Sequence, residues 1–297
     1  PFGPDAALTA LANLAAQDPG QRGFSTAAAS TAELKAAAES LLGSQRVVIC
    51  TGFCIRAAMI GENDGPPGAL AIADALRQLG KEIVFVSDHF SGGLLEAGAR
   101  VYGHDVNITL LETSQAIADQ QIAALLESFR PTHVLAIERP GNAIDGHRYS
   151  MRGILLDDLI PAADRLLVPP GPRHFTTLAI GDGGNELGLG GLRETHKHRV
   201  NHGEQIFCAT PADHVIAAGI SNWGGHALVA ALSVLSGKAL MHSPAHEKQV
   251  LEALQAAGAV DGCSGRADLS VDGVDWADYA VTLEALYRIA CAGQGEP

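Results

Sequence analysis

Six short apolar stretches recur along the chain with helical patterns between them. They are Arg46–Thr51, Glu82–Ser87, Val106–Leu111, His133–Glu138, Thr177–Gly181 and His214–Ala218. Because each stretch is apolar on both faces, it predicts a strand buried between two layers. Helical patterns occupy residues 68–79, 92–101, 114–129 and 153–167, and a further one follows at 224–235. This alternation predicts an α/β fold, with a mostly parallel sheet of about six or more strands and helices on both faces.

The residues before the first strand have a different composition. Residues 5–16 and 31–43 are rich in alanine and predict two helices, so residues 1–45 form an N-terminal helical cover for the sheet. Ser30 is the expected N-cap of the second helix, and Glu33 would complete a capping box. We find no repeat and no linker, and we expect residues 1–297 to form a single large domain.

Charge and hydropathy exclude several classes of protein. The chain has 33 acidic and 20 basic residues, so its net charge of −13 argues against nucleic-acid binding. Apolar runs such as Ala227–Leu235 are far shorter than the roughly 20 residues that span a bilayer. We see no secretory signal and expect a cytoplasmic enzyme. The five cysteines show neither a disulfide framework nor a zinc pattern, which favours ordinary buried thiols.

Glycine-rich and polar segments follow the first, fourth, fifth and sixth predicted strands, and these segments should meet at one edge of a parallel sheet. In the segment after Gly181, a helix beginning near Gly184 would direct its positive end at an anion. We expect Gly183, Gly184 and Asn185 to bind substrate there. Asp182 and Glu186, four residues apart, would share one helix face and could hold a cation, although such pairs also occur on solvated faces and Asp182 could be a cap.

More carboxylates are expected at the same edge. Glu62 and Asp64 follow the first strand, and Glu138 and Asp145 follow the fourth. Gathering so many acids costs free energy unless a cation is present, and oxygen ligands suit Mg, Mn or Ca. We therefore predict a divalent metal held by Glu62, Asp64, Asp182 and Glu186, with Asp64 as a plain N-cap as the alternative. The sequence has neither a Rossmann fingerprint nor a P-loop, so no nucleotide cofactor is expected.

Basic and hydrogen-bonding side chains lie in the same loops. One of Arg139, Arg148 and Arg152 should face substrate, although each could instead neutralise a neighbouring acid. The candidates for a general base are His147 and His226. Ser221 and Asn222 are candidate substrate-binding residues, whereas the histidines between 195 and 202 are typical of a surface loop.

Together these segments resemble the D-glutamate cyclase-like C-terminal domain family over nearly the whole chain. The matching motifs are Thr51–Phe53, Glu62–Ala69, Glu138–Gly141, Asp145–Gly146, Met151–Gly153, Gly181–Glu186 and Ser221–Gly224. The resemblance implies a carbon–oxygen lyase that converts D-glutamate to 5-oxo-D-proline with loss of water. It also implies a partner that carries the N-terminal cyclase domain, which this sequence lacks.

For such a reaction, the metal would polarise the γ-carboxylate, and His147 or Glu138 would take the ammonium proton. Arg152 would hold the α-carboxylate, with Arg139 among the substrate-binding residues and Asp145 among the catalytic ones. Two other functions stay open: a metal-dependent hydrolase of a small phosphorylated or acidic metabolite, and a module that only binds anions. A homo-oligomer is compatible with the composition.

Overall fold

A computed structural model describes residues 3–292, which contain ten strands. In chain order they are β1 (Arg46–Thr51), β2 (Cys54–Ile55), β3 (Ile60–Gly61), β4 (Glu82–Asp88), β5 (Ile108–Leu111), β6 (His133–Ile137), β7 (Thr176–Gly181), β8 (His214–Ala217), β9 (Ser270–Val271) and β10 (Val274–Asp275). Six of these strands form one sheet in the order β5-β4-β1-β6-β7-β8, and every neighbouring pair is parallel. The predicted parallel sheet is confirmed, while β2–β3 and β9–β10 are additional two-stranded hairpins.

The strand order reverses direction at β1, because the chain first builds outward through β4 and β5 and then returns to place β6 on the other side of β1. In open α/β sheets, ligands bind beyond the carboxyl ends of the strands at such a switch point. The loops after β1, β6 and β7 are therefore in the expected position for a site.

Eleven α-helices are present among residues 3–292. They are α1 (Pro4–Ala15), α2 (Ser25–Ala28), α3 (Thr31–Leu42), α4 (Pro66–Gln78), α5 (Gly92–Val101), α6 (Gln115–Phe129), α7 (Arg193–His196), α8 (Gly203–Ile206), α9 (Ser221–Ser236), α10 (Pro244–Ala256) and α11 (Trp276–Ala292). No helix within this part of the chain is long and apolar enough to cross a membrane.

The two faces of the sheet are covered unequally. Val47 and Ile49 face the larger core, which α1, α3, α4, α5, α9 and α10 complete. Val48 and Cys50 face the opposite side, which α6 and the segment after β6 cover. Helix α9 is buried on all sides from Ser221 to Ser233, since it packs against α1, α3, α4 and α11. Helices α1 and α3 belong to this larger layer, and α9 is its central helix.

The prediction of a helix at residues 153–167 is wrong. Only Asp164–Leu166 is helical there, as a single 3₁₀ turn. Pro161 supplies no backbone N–H and disfavours a helical Ile160, so the chain cannot continue a helix through this point. Leu156, Leu159 and Ile160 instead pack in a small separate cluster with Phe53 and Phe90. The apolar spacing in this stretch reflects that cluster rather than a helix face.

Half of the capping box predicted for α3 is confirmed. The Ser30 hydroxyl accepts a hydrogen bond from the Glu33 amide at 3.2 Å. The Glu33 carboxylate accepts one from the Val215 amide at 3.2 Å, at the start of β8. Glu33 therefore ties the helical cover to the sheet instead of closing a capping box.

Helices α4 and α9 touch through glycine. A Cβ atom placed on Gly225 of α9 would lie 2.9 Å from the Cα atom of Gly68 in α4. Side chains at this crossing would force the two backbones apart, and both helices contribute residues to the carboxyl edge of the sheet.

We expect Gly225→Ala to lower the free energy of unfolding by about 1–3 kcal/mol through overpacking. Gly93→Ala is the matched control, because Gly93 is exposed in α5 and a Cβ atom there meets nothing within 4 Å. It should raise stability by up to about 1 kcal/mol through helix propensity. Urea unfolding of both variants checks this, and equal effects would contradict the close crossing.

Candidate active site

The glycine-rich loop after β7 forms a tight turn around one carboxylate, and the helix predicted to begin near Gly184 is wrong. Glu186 Oε1 accepts hydrogen bonds from the amides of Asp182 and Gly183 at 2.9 and 2.7 Å. Its Oε2 accepts one from the Gly184 amide at 2.7 Å, where the backbone has a positive φ of 95°. Gly183 and Gly184 were predicted to bind substrate, but their backbone amides donate to Glu186 instead. The Asp182 side chain takes no part in these hydrogen bonds.

Asn185 holds this loop against the segment that follows β6. Its side-chain amide donates to the carbonyl of Tyr149 at 2.8 Å, and its Oδ1 is buried without a hydrogen-bond partner in the described residues. Asn185 does not line the cavity described below. Its place in the structure supports the loop.

Asp64 and Asn222 lock the first turns of α4 and α9 together. The Asp64 carboxylate accepts hydrogen bonds from the amides of Ser221 and Asn222 at 2.9 and 2.8 Å. In return, Asn222 Oδ1 accepts from the amides of Gly65 and Gly68, each at 2.9 Å. Asp64 is thus a cap of α9 rather than of its own helix. Asn222 was predicted to bind substrate, but its side-chain oxygen is occupied by amides at the start of α4.

Glu138 reaches the same place from the end of β6. Its Oε2 accepts a short hydrogen bond from the hydroxyl of Ser221, which occupies that hydroxyl. One ligand atom each from Asp64, Glu138 and Asp182 lie within 4.8 Å of one another, and all three residues are buried. The structure therefore brings together two of the four predicted metal ligands, with Glu138 as the third carboxylate and Glu186 turned away to backbone amides.

The donor set suits a hard divalent ion. Asp182 Oδ2 is buried and has no hydrogen-bond partner among the described residues. Three carboxylates with little access to water repel one another unless a cation or protons lie between them. Oxygen ligands are those that Mg²⁺, Mn²⁺ and Ca²⁺ prefer. Asp64, Glu138 and Asp182 thus fit such an ion.

Burial changes the acidity of these groups in the metal-free protein. Loss of solvation, reinforced by nearby acids, raises the pKa of Glu62 and of Glu138 well above the ordinary carboxyl range. Burial also raises the pKa of Asp182, although Arg22 opposes it. The pKa of Asp64 rises to about 7, again through burial. The cluster therefore gains stability from either protons or a cation.

A cavity of about 210 Å³ opens beside the three carboxylates. Glu62, Glu138 and Asp182 line it together with Arg22, Arg152 and Asp272. Its apolar walls are formed by Phe53, Ile55, Met151, Ile154 and Leu156. Its volume is below the roughly 300–1,000 Å³ typical of sites for drug-sized ligands, which favours a small metabolite.

Arg152 is the predicted arginine that the structure places at the cavity. Its guanidinium makes one long contact, 3.5 Å to the carbonyl of Cys263, and no ion pair with an acid within residues 3–292. Arg139 is fully buried in an ion pair with Asp88, and Arg148 pairs with Asp157 at 3.1 Å. Both of these arginines therefore pair with an acid, and the partners are not the acids expected from the sequence.

The two candidate histidine bases lie outside the cavity. His147 is half exposed and its Nδ1 is 2.6 Å from Asp157. Asp145 is also exposed and accepts a hydrogen bond from the Tyr149 hydroxyl at 2.6 Å. His226 is buried, and its Nε2 atom lies 3.0 Å from Glu247. Neither His147 nor His226 lines the cavity, and Asp145 does not line it either. The structure therefore separates His147, Asp145 and His226 from the carboxylate cluster.

Arg22 and Asp272 are two charged residues of the cavity that the sequence did not single out. Arg22 comes from the loop between α1 and α2, and its guanidinium pairs with Asp182 and, at 3.0 Å, with Asp272. Asp272 lies in the turn between β9 and β10. Neither residue follows a strand of the main sheet, so the rule that located the other loops did not reach them.

The raised pKa of Asp64 predicts a pH-dependent stability in the metal-free protein. Between the ordinary carboxyl pKa near 4 and about 7, the folded state keeps a proton that the unfolded state has lost. The free energy of unfolding of the wild type, relative to Asp64→Asn, should thus fall as pH rises, by up to about 1.4 kcal/mol per pH unit, and level off above pH 7.

Urea unfolding in EDTA between pH 5 and pH 8 measures this difference. Glu194→Gln, at an exposed residue outside the cavity, should run parallel to the wild type. A difference between the wild type and Asp64→Asn that does not change with pH would mean that Asp64 is already ionised at pH 5 in the folded protein.

Comparison with known proteins shows the family of this chain. The family described as "D-glutamate cyclase-like, C-terminal" matches residues 11–287. Human "D-glutamate cyclase, mitochondrial" is 34% identical over 230 residues, which cover 73% of this chain and 37% of the human protein. The chain thus spans little more than a third of that relative. The match includes the loops that carry Asp64, Glu138 and Asp182, and the chain belongs to the D-glutamate cyclase-like C-terminal family.

Proposed function

We propose that this chain catalyses the dehydrative cyclisation of D-glutamate to 5-oxo-D-proline, a carbon–oxygen lyase reaction, with the help of a divalent metal. The family supports a cyclase-like activity, and the name of the human relative supports the substrate. The observation that carries the proposal is the buried group of Asp64, Glu138 and Asp182 beside a small cavity that also contains an arginine without an acidic partner in the described residues.

The cavity supplies the groups that a small dicarboxylate needs. Arg152 can bind the α-carboxylate through two parallel hydrogen bonds, because no acidic side chain of the described residues occupies its guanidinium. The γ-carboxylate would then lie toward Asp64, Glu138 and Asp182, where a bound divalent ion would polarise it. The apolar walls exclude water from the rest of the substrate.

The reaction moves two protons from nitrogen to oxygen, so it needs one carboxylate in addition to the metal ligands to transfer them. The ammonium nitrogen loses two protons and bonds to the carbon of the γ-carboxylate, while one oxygen of that carboxylate leaves with both protons as water. Glu62 lines the cavity and stands outside the group of three ligands, so we assign it the transfer of these protons. This assignment replaces His147, which lies outside the cavity.

Binding in a curled conformation is a further contribution of the cavity. Ring closure joins two ends of one molecule, and holding those ends together removes part of the entropic barrier. Well-oriented intramolecular reactions gain up to roughly 7–11 kcal/mol in this way. Phe53 and Met151 border the cavity and limit the extended conformations that the substrate could adopt.

A homo-oligomer, a partner with the N-terminal cyclase domain and a cytoplasmic location remain predictions from the sequence. The reaction proposed here requires none of them.

The test is incubation of Mn²⁺-loaded and chelated protein with D-glutamate, L-glutamate and a panel of phosphate esters, followed by mass spectrometry. We expect metal-dependent loss of water from D-glutamate. Glu62→Gln should lose most turnover, on the order of 100-fold or more for a proton-transfer group, and keep Mn²⁺ binding. Asp182→Asn should lose both, whereas Glu194→Gln, at an exposed residue outside the cavity, should behave as wild type.

Release of phosphate from an ester, with glutamate unchanged, would replace this proposal by a metal-dependent hydrolase at the same site. Tight binding of glutamate without turnover by any metal-loaded preparation would replace it by an anion-binding module. Full activity of Glu62→Gln would remove Glu62 from the mechanism and leave the substrate assignment intact.

A further inference from the structure

Arg22 reaches the metal-ligand cluster from outside the sheet. Its guanidinium forms a short ion pair with Asp182 and contacts Asp272 at 3.0 Å. The Asp18 carboxylate fixes the loop below it by accepting from the amides of Arg22 and Gly23 at 3.0 and 2.6 Å. The backbone at Arg22 is thus held in place, while its long side chain extends into the cavity.

Asp182 has two possible cationic partners. Its Oδ1 receives Arg22, and its Oδ2 is buried without a hydrogen-bond partner in the described residues. A divalent ion bound among Asp64, Glu138 and Asp182 would lie next to the Arg22 guanidinium. Two like charges that share one buried carboxylate repel each other, since little water screens them there. Metal binding therefore weakens the pair between Arg22 and Asp182.

If Arg22 is displaced from Asp182, its guanidinium can bind a substrate carboxylate in the cavity. Arg22 and Arg152 both line it, so two guanidinium groups border a space of about 210 Å³. A substrate with two carboxylates could engage one guanidinium at each end. Arg22 is then suited to bind the carboxylate that lies nearer to the metal ligands, because in the metal-free protein it already contacts one of them, Asp182.

We propose that Arg22 is the counter-ion of the metal-free cluster and moves from Asp182 to a substrate carboxylate when a divalent ion binds. This inference rests on the proposed function and adds to it a specificity residue and an order of events. Because Arg22 becomes available to substrate only when the metal takes its place, metal and dicarboxylate bind cooperatively. By linkage, each raises the affinity for the other by the same factor.

The test uses Mn²⁺ alone and then glutarate, an unreactive dicarboxylate, each measured by calorimetric titration. Arg22→Met removes the competing charge and should bind Mn²⁺ on the order of tenfold more tightly than wild type. Arg22→Lys keeps a charge on the same loop and should stay close to wild type. Arg56→Met removes an arginine that lines the same cavity but pairs with Asp158, and it should change Mn²⁺ affinity much less.

Glutarate titrations test the second half of the proposal. The wild type should bind glutarate more tightly with Mn²⁺ than without it, whereas Arg22→Met should bind it weakly in both conditions. Arg22→Lys should also bind it weakly, since an ammonium lacks the fork of two parallel donors.

Weaker or unchanged Mn²⁺ binding by Arg22→Met would overturn the inference and make Arg22 an organiser of the site. A wild type that binds no Mn²⁺ would overturn both this inference and the metal in the proposed function. If the titrations behave as expected but D-glutamate is not cyclised, the inference stands and only the reaction is wrong.

Discussion

The reciprocal capping of α4 and α9 is the interaction on which the candidate site depends. Asp64 takes the first amides of α9, and Asn222 takes the first amides of α4, so the positive ends of two helices point toward one buried group of carboxylates. Burying acids without such partners is costly. The glycine contact between the two helices is what allows their first turns to come this close.

Much of the architecture could be predicted from the sequence because the sheet is buried on both faces. The predicted strand β1 has the observed bounds, and the other five strands of the sheet differ by one or two residues at an end. The convergence of Asp64, Glu138 and Asp182 followed from the same pattern, since the carboxyl ends of parallel strands share an edge. This part of the site was predictable from topology alone.

Side-chain partners were not predictable in this way, because they depend on tertiary contacts. Glu186 has the spacing of a helix face from Asp182, but the glycines let the loop turn back and place its carboxylate on three amides. Asn222 looked like a ligand-binding amide, and its use by α4 depends on how two helices cross. Arg22 carried no local signal, since its partner Asp182 is 160 residues away in the chain.

The cavity is completed by two segments that lie far apart in the sequence. Arg22 precedes the whole main sheet and Asp272 follows it, yet the Arg22 guanidinium contacts both Asp182 and Asp272. The six strands of the main sheet and α9 all lie between these two residues in the sequence. The charge balance around Asp182 therefore depends on the docking of both segments onto the sheet, and not on any single loop.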